Sequence, residues 1–210
     1  GRELLHRVCT AAAPASLTLV CISSLKDAAL FLRDNTQLFV DKVKTVVIMG
    51  GVEPFDASDS DAEIVMVPDS AHNNSFDKAA SAFFYRRCQE LSVRLVVVTR
   101  FAAYAAKVPR VVYDELAELG SPIAWRLREL QRSSIESLWS RAVSEGEARL
   151  GLPARCDRRW FLSTFCGGCD SDVRAHSRQA DDPIWDLVDG FMQYDTIALL
   201  AAVPELRRRY

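Results

Sequence analysis

Residues 43–51, Val-Lys-Thr-Val-Val-Ile-Met-Gly-Gly, decide the fold class of this chain. The first seven are mostly apolar and β-branched and are stopped by two glycines, a pattern typical of a buried strand. Residues 16–22 (SLTLVCI) form a second run of this kind, and residues 25–33 between the two runs have apolar positions at helical spacing. Strand, helix and strand in this order predict a βαβ unit with parallel strands.

The rest of the chain continues the alternation of strands and helices. Further strands are predicted at 63–67 and 94–99, a loop at 70–75, and helices at 38–43, 76–91, 101–106, 111–119, 122–143, 184–191 and 196–203. We therefore expect an α/β fold, a mainly parallel, Rossmann-like sheet flanked by helices, in a single domain over residues 1–210. Residues 147–183 lose the pattern and are interpreted as an irregular, loop-rich insertion.

Composition excludes several classes of function. Of the 210 residues, 49% are hydrophobic and 26% are charged, and the formal net charge is -2. A clustered basic excess, which nucleic-acid and acidic-membrane surfaces need, is absent from the sequence. No apolar run approaches the roughly 20 residues of a membrane span, and no signal peptide is visible. We expect a cytoplasmic protein that binds neither nucleic acid nor membrane.

The six cysteines do not predict a metal centre. Cys21 and Cys88 lie in apolar strand-like and helix-like runs and are predicted to be buried. A zinc site would need four ligands, and the candidates are Cys156, Cys166, Cys169 and His176. The Cys-x-x-Cys motif is not matched by a second closely spaced pair of ligands, so zinc is not expected there. The alternative is a loop with free or paired thiols.

Four segments, in order, resemble the inosine-uridine-preferring nucleoside hydrolase family. They are LTLVCISSLKDAAL (17–30), VVIMGG (46–51), NNSFDKAA (73–80) and YDTIALL (194–200). The family has a strand followed by Gly-Pro-Leu-Thr-Asn, a strand ending in Met-Gly-Gly, a Phe-Asn segment and a His-Asp-Pro helix start. The resemblance covers most of the chain and implies a nucleoside-hydrolase-like fold.

The resemblance also implies a chemistry, namely hydrolysis of the N-glycosidic bond of ribonucleosides to base and ribose, as in nucleoside salvage. Calcium, a hard cation with six to eight oxygen ligands, would activate the attacking water. Carried over, the metal ligands would be the Asp195 carboxylate and the Lys26 carbonyl. The ribose would contact Met49, Asn73 and Asn74.

Two further residues complete the implied site. Tyr194 stands where many family members have a histidine that protonates the leaving group, and a phenol can donate a proton or stack on a base. His72, in the predicted loop beside Asn73, is the other catalytic candidate.

The chain also departs from the family pattern. The aspartate-rich motif on the first strand, which supplies the remaining calcium ligands and the general base, has no counterpart before Ser16. Ala71 replaces a glutamate, and Lys26 replaces a threonine. The alternative is therefore a catalytically inactive relative that acts as a binding, scaffold or subunit protein. We interpret the N-terminal part of the domain as missing, and we expect a homo-oligomer or a complementing chain to cover the exposed sheet.

Each candidate residue also has a purely structural interpretation. Asp195 could cap a helix at Thr196, Asn73 and Asn74 could cap a helix at Phe76, and Met49 could belong to the core. Arg100, directly after a predicted strand, could bind an anion or simply be solvated or salt-bridged. A generic small-molecule-binding α/β domain is a third hypothesis.

Overall fold

The computed structural model describes residues 1–54, 65–149, 151–167 and 177–207. These residues form two compact units: the described residues of Gly1–Ala106 with Gln193–Tyr210, and those of Lys107–Met192. Two compact units can belong to one domain, so the single-domain expectation, with its insertion at 147–183, stays a prediction. In chain order the helices are α1 Arg2–Ala11, α2 Lys26–Asp34, α3 Thr36–Lys42, α4 His72–Ser75, α5 Lys78–Glu90, α6 Arg100–Ala105, α7 Arg110–Glu118, α8 Pro122–Val143, α9 Arg158–Phe165, α10 Asp195–Ala202 and α11 Pro204–Arg207.

The first unit is built on a parallel sheet of three strands in the order β1 Leu17–Cys21, β2 Val43–Met49 and β3 Arg94–Val98. Val47 is the register partner of Val20 on one side and of Val96 on the other. The predicted βαβ unit and the α/β fold class are confirmed.

The central strand β2 is apolar from Val46 to Met49, where helices cover both faces of the sheet. Val46 and Ile48 point into a core shared with α2, α3 and α5. Val47 and Met49 point to the opposite face, where they pack with Ala198 of α10. Side chains alternate between the faces of a strand, so the part of a strand that is covered on both sides is a continuous apolar run.

The predicted strand at 63–67 is wrong over its described part. Residues 63 and 64 lie outside the described residues, and 65–67 form no strand. Instead, the side chain of Gln89 on α5 bonds both peptide groups of Met66, with Met66 N donating to Oε1 (2.7 Å) and Nε2 donating to Met66 O (2.9 Å). A side-chain amide thus replaces the sheet ladder that the apolar sequence suggested.

Two other predictions need correction, and three further described helices lie where none was predicted. The expected loop at 70–75 contains the short helix α4. The expected helix at 184–191 is a 3-10 turn (Trp185–Leu187) followed by β5 Gly190–Met192, which pairs antiparallel with β4 Lys107–Pro109. Its apolar residues at i, i+4 and i+7 are buried as a helix would bury them, but by a different backbone. Helices α1, α9 and α11 were not predicted, and α9 lies within the segment that was interpreted as irregular.

The second unit consists mainly of helices. The long helix α8 has the predicted bounds and buries Ile135 and Trp139 against Phe161 of α9. The Trp139 indole N–H donates to Gln179 O at 2.9 Å. Within the described ranges, no helix is both long and apolar enough to cross a membrane.

The cysteine predictions divide into two groups. Cys21 and Cys88 are buried free thiols, as predicted, and burial raises the pKa of each to about 12. Cys156 and Cys166 are also buried. Cys169 and His176 lie outside the described residues, so the expectation about zinc stays a prediction.

Candidate ligand-binding site at the carboxyl edge of the sheet

The carboxyl ends of the parallel strands place several of the predicted residues at one edge of the sheet. Here β2 ends at Met49 and continues into Gly50 and Gly51, while β3 ends at Val98 and continues into Arg100. Gly50 N donates to Val98 O at 3.0 Å, so the two strand ends stay together beyond the last ladder pair. In open α/β sheets this edge is the usual place for a ligand.

Met49 and Asn73, two of the three predicted ribose contacts, are brought together. The Asn73 side-chain amide donates to Met49 O at 2.9 Å and so ties α4 to the end of β2. The Met49 side chain is buried in the core, as its structural interpretation expected. Asn73 does not cap the following helix, because the cap of α5 is Asp77, whose carboxylate accepts from Ala80 N at 3.0 Å.

Asn74 is a structural residue inside the same turn. Its side chain is 2% exposed, and its amide nitrogen donates to Gly51 O (3.0 Å) and to Asp69 O (3.3 Å). The Tyr85 hydroxyl also donates to Gly51 O, at 3.2 Å, and burial is the main cause that raises the pKa of this phenol. Within the described parts of the chain, Asn74 Oδ1 is buried without a hydrogen-bond partner.

The two glycines after Met49 are explained by this packing. A Cβ on Gly51 would lie 2.3 Å from the Asp69 carboxylate oxygens, and one on Gly50 would lie 3.1 Å from Asn74 Oδ1 and the Tyr85 hydroxyl. Only a residue without a side chain admits such close neighbours. Asp69 and Tyr85 were missed by the sequence reasoning, although a double glycine at a strand end is a sign that another group approaches the backbone.

Lys26 is oriented by an ion pair with α5. Its ammonium nitrogen lies 3.6 Å from Asp77 Oδ2, and the residue begins α2. The backbone carbonyl, the proposed calcium ligand, is thus in the first turn of a helix, where carbonyls accept from the amide four residues on.

Asp195 begins helix α10 and does not cap it. The residue in the cap position is Tyr194, and no side chain bonds the helix start, so the helix-cap interpretation of Asp195 is wrong. Its carboxylate has no hydrogen-bond or ion-pair partner among the described residues. Although the residue is exposed overall, desolvation by neighbouring atoms raises the pKa of its carboxyl group.

Tyr194 lies beside a second tyrosine and an arginine. Its ring meets that of Tyr104 edge-on, with centroids 6.3 Å apart, and 40% of the residue is exposed. Burial of the remainder is the main cause that raises the pKa of Tyr194 to about 12, Tyr104 adds to it, and the charge of Arg100 opposes it. The phenol is therefore protonated at neutral pH and can donate a hydrogen bond.

His72 is exposed on α4, where its ring contacts Phe76 edge-on with centroids 4.6 Å apart. This contact holds the imidazole against a hydrophobic ring and gives it no acid or base partner. The proposed catalytic role of His72 stays a prediction.

The described residues do not by themselves make a calcium site. Among them, no three His, Cys, Asp or Glu side chains are grouped to hold a metal ion. Asp195 supplies one carboxylate, whereas calcium takes six to eight oxygen ligands. Calcium therefore stays a prediction, and no chemical step is derived through it.

Comparison with known proteins corrects the family and supports the fold. Two solved structures match all of this chain: the effector protein XOO4466 (30% identity, TM-score 0.76) and the type III effector protein XopQ complexed with adenosine diphosphate ribose (32% identity, TM-score 0.77). The chain covers 53% and 54% of those two chains, about half of each. No family model and no curated protein sequence matches the chain.

The expected membership of the inosine-uridine-preferring nucleoside hydrolase family is therefore wrong: the matching structures are effector proteins, and the family's own sequence pattern is not met. The expected fold is confirmed, because the matched structures share the nucleoside-hydrolase-like α/β arrangement. Over its whole length, this chain is similar to about half of a type III effector protein that was solved with a ribose-containing ligand.

Proposed function

We propose that this chain forms part of a binding protein for a ribose-containing nucleotide, which it holds at the carboxyl edge of the sheet. The observation that carries the proposal is the Asp195 carboxylate, which lies at a helix start beside Tyr194 and has no partner among the described residues. A similar structure was solved with adenosine diphosphate ribose, and this makes ADP-ribose the first ligand to test.

The chemistry of these two side chains fits a ribonucleoside. A carboxylate at the end of an α/β sheet is well suited to accept hydrogen bonds from ribose hydroxyls. The protonated, partly exposed phenol of Tyr194 offers both an O–H donor and an aromatic face for a base. Met49 and Asn73 do not compete with this role, because they are engaged with each other below the same edge.

Binding is better supported than hydrolysis. Cleavage of an N-glycosidic bond requires an activated water and an acid for the leaving base. Tyr194 could supply the acid, but among the described residues no three acidic, imidazole or thiol side chains are grouped to hold a metal ion that would activate the water. Hydrolysis is the second candidate. The expected oligomeric state and compartment stay predictions.

Isothermal titration calorimetry with ADP-ribose tests the proposal. We expect saturable binding to the wild-type chain and a loss of at least about tenfold in affinity for Asp195→Ala, because a charge-assisted hydrogen bond is removed. Glu205→Ala, an exposed carboxylate on α11, is the matched control and should bind like wild type. The proposal fails if wild type does not bind or if the two variants bind equally.

The same samples separate binding from hydrolysis. Adenine or ribose released during incubation with ADP-ribose or adenosine would be detected by chromatography, with and without calcium. We expect bound and unchanged ligand. Release that Asp195→Ala abolishes and Glu205→Ala retains would establish the second candidate instead.

A further inference from the structure

Arg100 is a cation without a carboxylate partner at the ligand edge. It is the second residue after β3, it is exposed, and no salt bridge to it is found in the described parts of the chain. Elsewhere in the first unit, Lys26, Arg33 and Arg87 all lie within 4 Å of a carboxylate oxygen. The contrast matters because an arginine left unpaired beside a binding edge can bind an anion that arrives with the ligand.

One exposed aromatic ring contacts this guanidinium, and a pair of partly exposed tyrosines lies nearby. The central carbon of the guanidinium lies 5.2 Å from the centroid of the Phe101 ring, and its charge acts on the Tyr194 hydroxyl. Phe101 is 73% exposed, Tyr104 is 48% exposed and Tyr194 is 40% exposed. Phe101 contacts the guanidinium, and the Tyr104–Tyr194 pair contributes two further partly exposed rings within reach of its charge. Together they form a surface on which a flat, charged ligand can be held.

The geometry points to Arg100 as the residue that selects a phosphorylated ligand, with its guanidinium bonding phosphate oxygens while Tyr104 and Tyr194 offer their faces to the base. This inference rests on the proposed function and deepens it: the ligand class would be a ribonucleotide with a diphosphate, and a free nucleoside would bind weakly. Guanidinium and phosphate form paired, charge-assisted hydrogen bonds. Bases stack on aromatic side chains without regard to their identity.

The chain also contains a matched control for Arg100. Arg94 begins the same strand, at the opposite edge of the sheet, and it is exposed without a salt bridge in the described residues. Arg94→Gln therefore removes an equivalent charge from the start of β3, away from the carboxyl edge where the ligand is proposed to bind. Any effect of net charge or of strand stability would appear in both variants, whereas phosphate recognition would appear in only one.

Calorimetry with ADP-ribose and adenosine on wild type, Arg100→Gln and Arg94→Gln tests this inference. We expect wild type to bind ADP-ribose at least about tenfold more tightly than adenosine. Arg100→Gln should lose most of that preference and keep its affinity for adenosine within about twofold, while Arg94→Gln behaves like wild type. Added salt should lower the affinity for ADP-ribose more than the affinity for adenosine, because salt screens the interaction between charges.

The outcomes distinguish this inference from the proposed function. If wild type binds both ligands equally, or if Arg100→Gln leaves the preference unchanged while Asp195→Ala still weakens binding, the phosphate role is wrong and the ribose site stands. If Arg100→Gln weakens both ligands alike, the residue supports the site without selecting phosphate. If wild type binds neither ligand, both proposals are overturned.

Discussion

The two sides of the carboxyl edge differ in whether their polar side chains are hydrogen-bonded within the protein or exposed. On the β2 side, which comprises Gly51, Asp69, Asn73, Asn74 and Tyr85, the polar side chains bond the backbone that they touch. On the β3 side, which comprises Arg100, Tyr104, Tyr194 and Asp195, the side chains are exposed, and neither charged group has an ion-pair partner within the described residues.

This difference teaches which side stabilises the fold and which side is free to act. A buried donor is costly to leave unbonded, so the bonds from Asn74 and Tyr85 to Gly51 O hold the turn closed. Unpaired charges at a sheet edge contribute little to folding and remain available for a ligand. Mutations on the β2 side should therefore cost stability, and mutations on the β3 side should cost binding.

Gly51→Ala should have the largest effect of the changes considered. The new Cβ would lie 2.3 Å from the Asp69 carboxylate, which would have to give up its bond from Ala71 N. We expect a loss of about 3 kcal/mol in the free energy of unfolding, measured with urea. Gly50→Ala, whose nearest contacts are 3.1 Å, should cost clearly less. Equal values for the two would contradict the packing described for Asp69.

Asn74→Ala should have the second largest effect on stability. It removes the donor to Gly51 O and Asp69 O inside the core, and we expect about 2 kcal/mol of destabilisation. Ser75→Ala is the control on the same short helix, since its exposed hydroxyl bonds Ser70 O and its loss should cost no more than about 0.5 kcal/mol. A stable Asn74→Ala protein would show that the turn is held by other contacts.

Tyr85→Phe should have a smaller effect, because it removes one of the two side-chain donors to Gly51 O and leaves Asn74 and the Asp69 backbone N–H in place. We expect about 1 kcal/mol from urea unfolding. The double variant with Asn74→Ala should lose more than the sum of the two single variants, since the carbonyl then has no side-chain donor. Simple additivity would mean that the two bonds do not share an acceptor in solution.

Asp195→Asn should change stability least. Its carboxylate has no partner to lose among the described residues, so the free energy of unfolding should stay within about 0.5 kcal/mol of wild type. The side chain keeps its size, which makes this variant suitable for separating stability from binding. A large loss of stability, measured in the same urea titrations, would show that Asp195 supports the fold and would remove the contrast between the two sides.

Much of the framework was predictable because local patterns agree with the tertiary structure. The apolar run that ends in Gly50 and Gly51 marks a doubly covered strand, and helix α8 has the bounds that its periodicity predicts. Residues 65–67 did not follow their pattern, since Gln89, more than twenty residues away, bonds Met66 in place of a neighbouring strand. A contact at that distance along the chain leaves no local periodicity to detect.

Local sequence patterns were enough to predict the α/β class, the parallel βαβ unit, the positions of Met49, Arg100 and Asp195 at strand and helix ends, and that of Asn73 in an adjoining loop. Which of these residues bond to other parts of the protein, and which remain available, became clear from the three-dimensional structure. The Asn73 amide donates to Met49 O, and Lys26 forms an ion pair with Asp77. Asp195 and Arg100, in contrast, have no partner of opposite charge among the described residues. The physical reason is that partnership depends on distances between segments far apart in the chain, and those distances exist only once the sheet has formed.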